Sequence, residues 1–356
     1  MTPKAKVLEI SSYPPPRAGW GIRVSFVKQA LLEAGHDCKV INIAPESRCI
    51  PSPEYLTSMN GLDYAWKCLL YSLKGYRVHM HLNGNSPKGF MLSIIAQVMN
   101  LLTFKRADLT MHAGPYQIYF PRERAPRLAP MMKFIFGTSR RIICNSDAVK
   151  EKIVEYGINP DKIYPIQAFS RQYLQFEPAP LKPALEAFRQ AHPQLICSYV
   201  FFRPEFFVED MIHAIAKLRE THPGAGLMIL GSDQGSEKVK ALAEELGIAA
   251  HVYFAGDLDH DDFLTHISIS TLKLRTPIRD GIASSVLEAL ALGVPVVASE
   301  NERRPPSTIT YNHEDVADMV RALRETLDDP EGARSRVVKP EIRDTVAEEV
   351  AVLVGP

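Results

Sequence analysis

Arg279–Ser299 reads RDGIASSVLEALALGVPVVAS, and this stretch decides the fold. An apolar run at helical spacing, Ser285–Leu292, is stopped by Gly293, and a valine-rich run, Val294–Ala298, follows at once. Glycine ends helices because it accepts the left-handed turn at the C-terminus without a Cβ penalty. A helix that feeds a buried strand directly is the joint of an α/β unit. Ser284 or Ser285 is placed to cap this helix, whose free amides and dipole then face the preceding loop. Such a helix start is an anion site suited to a diphosphate. Asp280 lies in the loop and Glu288 in the first turns of the helix, eight positions apart. Two carboxylates so spaced reach different hydroxyls of one extended ligand. The plainer alternative is an acidic loop followed by a glutamate that only complements the helix dipole.

Working outward, the first half alternates short apolar strands with amphipathic helices. Lys6–Ile10, Cys38–Ile43, Val78–Leu82, Leu109–His112 and Arg141–Cys144 read as strands; Ile22–Ala34, Phe90–Phe104 and Ala148–Tyr156 read as helices. Alternation of this kind predicts parallel strands joined by helical crossovers. Phe176–Pro183 (FEPAPLKP) carries three prolines in eight residues and reads as a linker. Beyond it the pattern restarts: strands Leu195–Phe202, Gly226–Leu230 and Val252–Ala255, helices Val208–Thr221 and Glu237–Leu246, and a last helix over Pro340–Leu353. The expected architecture is two Rossmann-like domains, 1–175 and 176–339, facing a central cleft. A C-terminal helix, 340–356, returns to the first domain.

The 356 residues are enough for two domains, each with its own core. The five cysteines are scattered, which points to packed thiols in a reducing compartment rather than disulfides or a zinc site. The start, MTPKAKVLEI, runs straight into a strand with no secretory signal, so a cytoplasmic protein is expected. Net charge is zero, but residues 1–175 hold 23 Lys+Arg against 12 Asp+Glu, and the remainder 18 against 29. One half therefore meets something anionic. Nucleic acid is not indicated, because the basic residues are not interleaved with aromatic stacking residues. Phe120–Arg141 (FPRERAPRLAPMMKFIFGTSRR) alternates arginines with apolar residues, and predicts a peripheral site on an anionic membrane surface at its inner face. Its alternative is a solvated basic face for a charged acceptor.

The Arg279–Ser299 stretch resembles the family-4 retaining glycosyltransferases of GT-B fold, whose signature is acid-x7-acid, helix, glycine and a PVVA strand. Asp280, Glu288, Gly293 and Pro295 all agree in type and spacing. The resemblance implies that Asp280 contacts the donor sugar, Glu288 the nucleotide ribose, and the amides of Gly281, Ile282, Ala283 and Ser284 the donor. Weaker matches extend over nearly the whole chain. Gly19 and Gly21 in Tyr13–Asp37 resemble the family's first glycine loop, and Thr110–Gly114 (TMHAG) places His112 where the family has a histidine near the sugar. Strand-end histidines are also often structural.

The family's Gly-Arg…Lys-Gly pair, which neutralises the donor diphosphate, is altered. Its region is SYVFFRPEFFVEDM (Ser198–Met211), where the lysine position is apolar and Arg203 is the only base, with Lys273, Arg275 or Arg279 as helpers. His79 and His81 are two apart and share a strand face, but no third ligand follows at metal spacing. No metal and no cofactor are expected.

The function implied is retaining transfer of a sugar from a UDP- or GDP-sugar to a carbohydrate or lipid-linked acceptor. The alternatives are a non-catalytic nucleotide- or sugar-binding GT-B protein with a degraded diphosphate site, and a sugar-nucleotide epimerase.

Overall fold

A computed structural model describes residues 4–14, 20–45, 47–278 and 283–355. The chain divides into two compact units, residues 1–172 with 343–356, and residues 173–342. Each is built on one six-stranded, all-parallel sheet.

In the first unit the strands are β1 (Lys6–Ser11), β2 (Asp37–Asn42), β3 (Arg77–Leu82), β4 (Asp108–Met111), β5 (Ile142–Cys144) and β6 (Ile163–Pro165). Their order across the sheet is β2-β1-β3-β4-β5-β6. Nearly every residue of β1, β3, β4 and β5 is buried, as a sheet covered by helices on both faces requires. Met80, Leu82, Leu109 and Met111 fill one face together with Phe90, Phe136 and Ile142. Val7, Val27 and Leu31 on the other side pack with Val346 and Leu353 of the helix Thr345–Val354. That helix is tied down by buried Arg23. Its Nε donates to Glu349 Oε2 at 2.8 Å, and Nη1 donates to Thr345 Oγ1 at 2.7 Å.

The second unit contains β7 (Gln194–Tyr199), β8 (Ala225–Leu230), β9 (Val252–Gly256), β10 (Leu272–Arg275), β11 (Val296–Ser299) and β12 (Ile309–Tyr311), in the order β12-β11-β10-β7-β8-β9. Strand β10 reads Leu-Lys-Leu-Arg, a pattern that looks half solvent-facing, yet all four residues are buried. The last helix begins at Thr345, not Pro340, because Asp344 caps it through the amide of Ala347. Helices Gly61–Leu73, Ala129–Thr138, Pro183–Ala191, His260–Ser268 and Val316–Asp328 have no counterpart in the sequence reading.

Parallel sheets bind ligands beyond the carboxyl ends of strands where the winding direction reverses. In the first unit that point lies between β1 and β3, since β2 is on one side and β3 onward on the other. In the second it lies between β7 and β10. Both positions follow from strand order alone.

Candidate functional site

At the first reversal point, Glu9 of β1 stands in register beside His79 of β3. Glu9, His79 and His81 are buried in the sheet. His79 Nδ1 lies 2.8 Å and His81 Nε2 2.7 Å from the same oxygen, Glu9 Oε2. Beyond them His79 Nε2 is 2.8 Å from Thr110 Oγ1, and His81 Nδ1 is 2.7 Å from His112 Nε2. His112, just past β4, is partly exposed, stacks on His81 and meets the edge of Trp20.

The electrostatics follow from that geometry. Burial pushes the Glu9 carboxyl up, but the charge and hydrogen bonds of the two histidines outweigh it and hold it at about 2. Burial pushes His79 down, and the Glu9 carboxylate reverses this, raising it to about 9. His81 is lowered by burial and by the charge on His79. His112 is pushed well down by burial, then by His81, Arg23 and His79. The cluster is therefore one buried ion pair, Glu9 with His79, followed by two neutral imidazoles.

These placements correct the sequence reading that no third ligand-type group accompanies His79 and His81. The third group comes from a neighbouring strand. Glu9, His79 and His81 bring ligand-type atoms within 4.8 Å of one another. Both nitrogens, however, sit at hydrogen-bond distance from one oxygen. An ion about 2.0–2.2 Å from each donor holds its ligands farther apart than that. As arranged, Glu9, His81 and His112 form a hydrogen-bonded chain, and His79 lies in ion-pair contact with Glu9.

In the second unit the helix after β10 runs Ser284–Ala291. Its N-cap is Ala283, and no side chain caps it, so the expected cap by Ser284 or Ser285 is not made. Both serines lie inside the first turn, which leaves the free amides there without a side-chain acceptor. Glu288 falls one turn further on and is buried. Its side chain makes no hydrogen bond with any described residue. Burial lifts its carboxyl to about 7, against the lowering effect of Lys273. Lys273 of β10 is fully buried, its Nζ has no hydrogen-bond partner among the described residues, and burial lowers its pKa. No ion pair joins it to Glu288. The sequence offered Lys273 only as a helper to Arg203; the strand's cations mask its burial.

Arg203 is exposed in the loop after β7, with its guanidinium over the Phe201 ring. The segment where the family has Lys-Gly ends at Phe207, which takes the left-handed conformation (φ 47°) that favours glycine. Arg275 is nearly buried, and its Nη1 donates to the Tyr199 carbonyl at 3.2 Å. Gly231, after β8, has φ 120°, and a Cβ there would sit 2.5 Å from the Val200 carbonyl, so only glycine fits. Gly21 is the second residue of the helix Trp20–Glu33, and its bare Cα faces the Ser12 carbonyl of the protein itself. Gly19, Asp280, Gly281 and Ile282 lie outside the described residues.

Residues 187–339, which lie within the second unit, match the model of the family described as glycosyl transferases group 1. A glycogen synthase of Mycobacterium tuberculosis is 30% identical over 135 residues, 36% of this chain and 33% of that one. A GDP-mannose-dependent alpha-(1-6)-phosphatidylinositol monomannoside mannosyltransferase of the same species is 30% identical over 112 residues, 29% of each. The chain thus spans about a third of the length of the curated relatives it matches. Among solved structures, Anabaena Alr3699/HepE in complex with UDP superposes with a TM-score of 0.64 at 13% identity, covering 97% of this chain and 94% of that one. The fold is GT-B, as the resemblance implied.

Proposed function

We propose that the protein is a retaining glycosyltransferase of family-4 type that takes its sugar from a UDP- or GDP-sugar. The observation that carries this reading is Glu288: a buried carboxyl with no side-chain hydrogen bond among the described residues, one turn inside the helix that follows the reversal-point strand β10. An unpaired buried acid is costly unless something completes it. A ribose diol supplies two donors for that purpose. Asp280 is assigned to the donor sugar and His112 to the transferred group. The leaving diphosphate is assigned to Arg203 and to the amides of Gly281 through Ser284. Preorganised donors of this kind stabilise a leaving diphosphate without a bound ion, so turnover should be indifferent to EDTA.

The relatives set the candidates for the nucleotide: UDP is bound in the HepE structure, and the mannosyltransferase is named for GDP-mannose. The test is a thermal-shift panel of UDP, GDP and ADP, because a ligand that binds only the folded state raises its stability. One nucleotide should raise the melting temperature in a concentration-dependent way, and its sugar conjugate should be turned over or hydrolysed. Binding without turnover or hydrolysis favours the alternative of a binding protein with a degraded site.

We further assign the acceptor to a lipid-linked class, used by a protein attached peripherally to an anionic membrane. No helix among the described residues is long and apolar enough to cross a membrane. The segment Phe120–Arg141 does not carry this reading as first drawn, because Phe120, Met132, Ile135 and Phe136 are all buried and, of its large apolar side chains, only Phe134 is exposed. A different surface supports it. The helices Gly61–Leu73 and Pro87–Leu101 pack side by side and expose Leu62, Trp66, Leu73 and Met91, with Leu102 exposed just past the second helix. Phe104 is 100% exposed and is followed by Lys105 and Arg106. Apolar tips ringed by cations are the pattern of an interfacial surface.

A further inference from the structure

We propose that Glu9 and His81 are positioning residues that hold His112 in a single tautomer, its proton on Nε2 and its Nδ1 left as a hydrogen-bond acceptor. The inference starts from the carboxylate. An ionised Glu9 can only accept, so the nitrogen 2.7 Å from its Oε2, His81 Nε2, must carry a hydrogen. A neutral imidazole has one donor and one acceptor nitrogen. His81 Nδ1 is therefore a lone pair, and the atom 2.7 Å from it, His112 Nε2, donates. His112 is then left with Nδ1 as its only acceptor. The direction of every bond in the chain is fixed at the end that lies deepest in the sheet.

His79 makes the arrangement stable. Its Nδ1 lies 2.8 Å from the same carboxylate oxygen, and its Nε2 is held at 2.8 Å by Thr110 Oγ1. A protonated His79 neutralises Glu9 without entering the Glu9–His81–His112 chain. Arg23 and His79 both disfavour a charge on His112, while Asp108 and Glu349 act on the His79 end. The neighbouring thiol, Cys38, is itself pushed up by burial and by Glu9 and stays neutral.

The consequence concerns the ligand. A His112 whose Nδ1 accepts is matched by a donor, a hydroxyl or N–H of the bound group, and is mismatched to a ring or carbonyl oxygen. This specificity rests on the assignment of His112 to the transferred sugar; the tautomer does not.

The experiment is long-range 1H–15N correlation spectroscopy on the full chain labelled at histidine, near neutral pH, with His112 and His81 assigned from His112→Gln and His81→Phe. The expected result is His112 with a protonated Nε2 and an unprotonated Nδ1, and His81 likewise. In His81→Phe the bond is gone, and His112 should show averaged shifts from two exchanging tautomers. Glu9→Gln should do the same if it folds; the parent spectrum and His81→Phe carry the test if it does not. A His112 protonated at Nδ1 in the parent, or averaged there, overturns the proposal, as does an unchanged His112 in His81→Phe. Glu288→Gln, which tests the donor reading, should leave the His112 signals where they are, so the two readings fail separately.

Discussion

Both sheets place a buried glutamate at or beside the point where their winding reverses, and the two acids are held in opposite ways. Glu9 receives two histidines on one oxygen, and its carboxyl is held at about 2. Glu288 has a buried lysine for company but makes no side-chain hydrogen bond with a described residue, and its carboxyl rises to about 7. The difference teaches what each is for. A buried acid with one oxygen held by its own protein can orient a neighbour, here His112, even though its Oε1 has no hydrogen-bond partner among the described residues. A buried acid left incomplete is a place for a ligand to finish.

The comparison breaks most visibly at Glu9. Removing one partner of a buried pair typically costs about 3–5 kcal/mol, because the other is stranded. Glu9→Gln should lose about that much in denaturant unfolding between pH 5 and 6.5. The window follows from the shifts. A carboxyl lowered from 4.5 to about 2 contributes stability above 4.5 that is lost as pH falls toward 2. A histidine raised from 6.5 to about 9 contributes below 6.5 and loses it as pH rises through 9. The gap between parent and variant should therefore narrow on both sides, and a gap that stays constant from pH 5 to 10 contradicts the ion pair.

At Glu288 the effect should fall on the ligand. Hydrogen bonds to a charged group are worth about 1.5–3 kcal/mol, so Glu288→Gln should weaken nucleoside diphosphate binding about tenfold or more by calorimetry. The carboxyl ionises near pH 7, so the parent's advantage over the variant should grow from pH 6 to pH 8. In stability the sign is reversed. A carboxyl raised from 4.5 to about 7 costs stability progressively as pH climbs between those values, and none of that cost remains below 4.5. Equal binding by parent and variant, with a lower melting temperature in the variant, would make Glu288 structural and erase the contrast with Glu9.

Asp280→Asn sharpens the donor side, with a loss of similar or smaller size. It should reduce affinity for the nucleotide-sugar while leaving the bare diphosphate nearly unchanged; equal losses on both would move Asp280 off the sugar. The smallest effect belongs to the membrane surface. Each basic residue near anionic lipid contributes about 1 kcal/mol, and salt screens it. Arg106→Gln should release about that much binding from phosphatidylserine-containing vesicles, and Phe104→Ser should weaken binding at low salt and high salt alike. No pelleting of the parent at low salt sinks the membrane assignment.

Much of this fold was legible in order along the chain. Strands such as Lys6–Ser11 and Arg77–Leu82 are short apolar runs with turn residues beside them, and local chemistry is enough to place them. Glu288 stood out for the same reason, at a fixed spacing from Asp280 before Gly293 and Pro295. Strand β10 did not, because Lys273 and Arg275 alternate with leucines and imitate a solvent-facing edge. Glu9 gave no signal either. A single acid inside a β-strand reads as an outward residue until the strand has neighbours.

The sequence by itself determined the alternation of strand and helix, the helix that begins after Asp280, and the residue types available for donor binding, because spacing and turn chemistry are properties of nearby residues. Only the tertiary structure decided that Glu9, His81 and His112, up to about a hundred positions apart, form one hydrogen-bonded chain with His79 paired to Glu9, and that Lys273 is buried near Glu288. Burial and partnership depend on which strands become neighbours in the sheet, and these set the charge on a buried group.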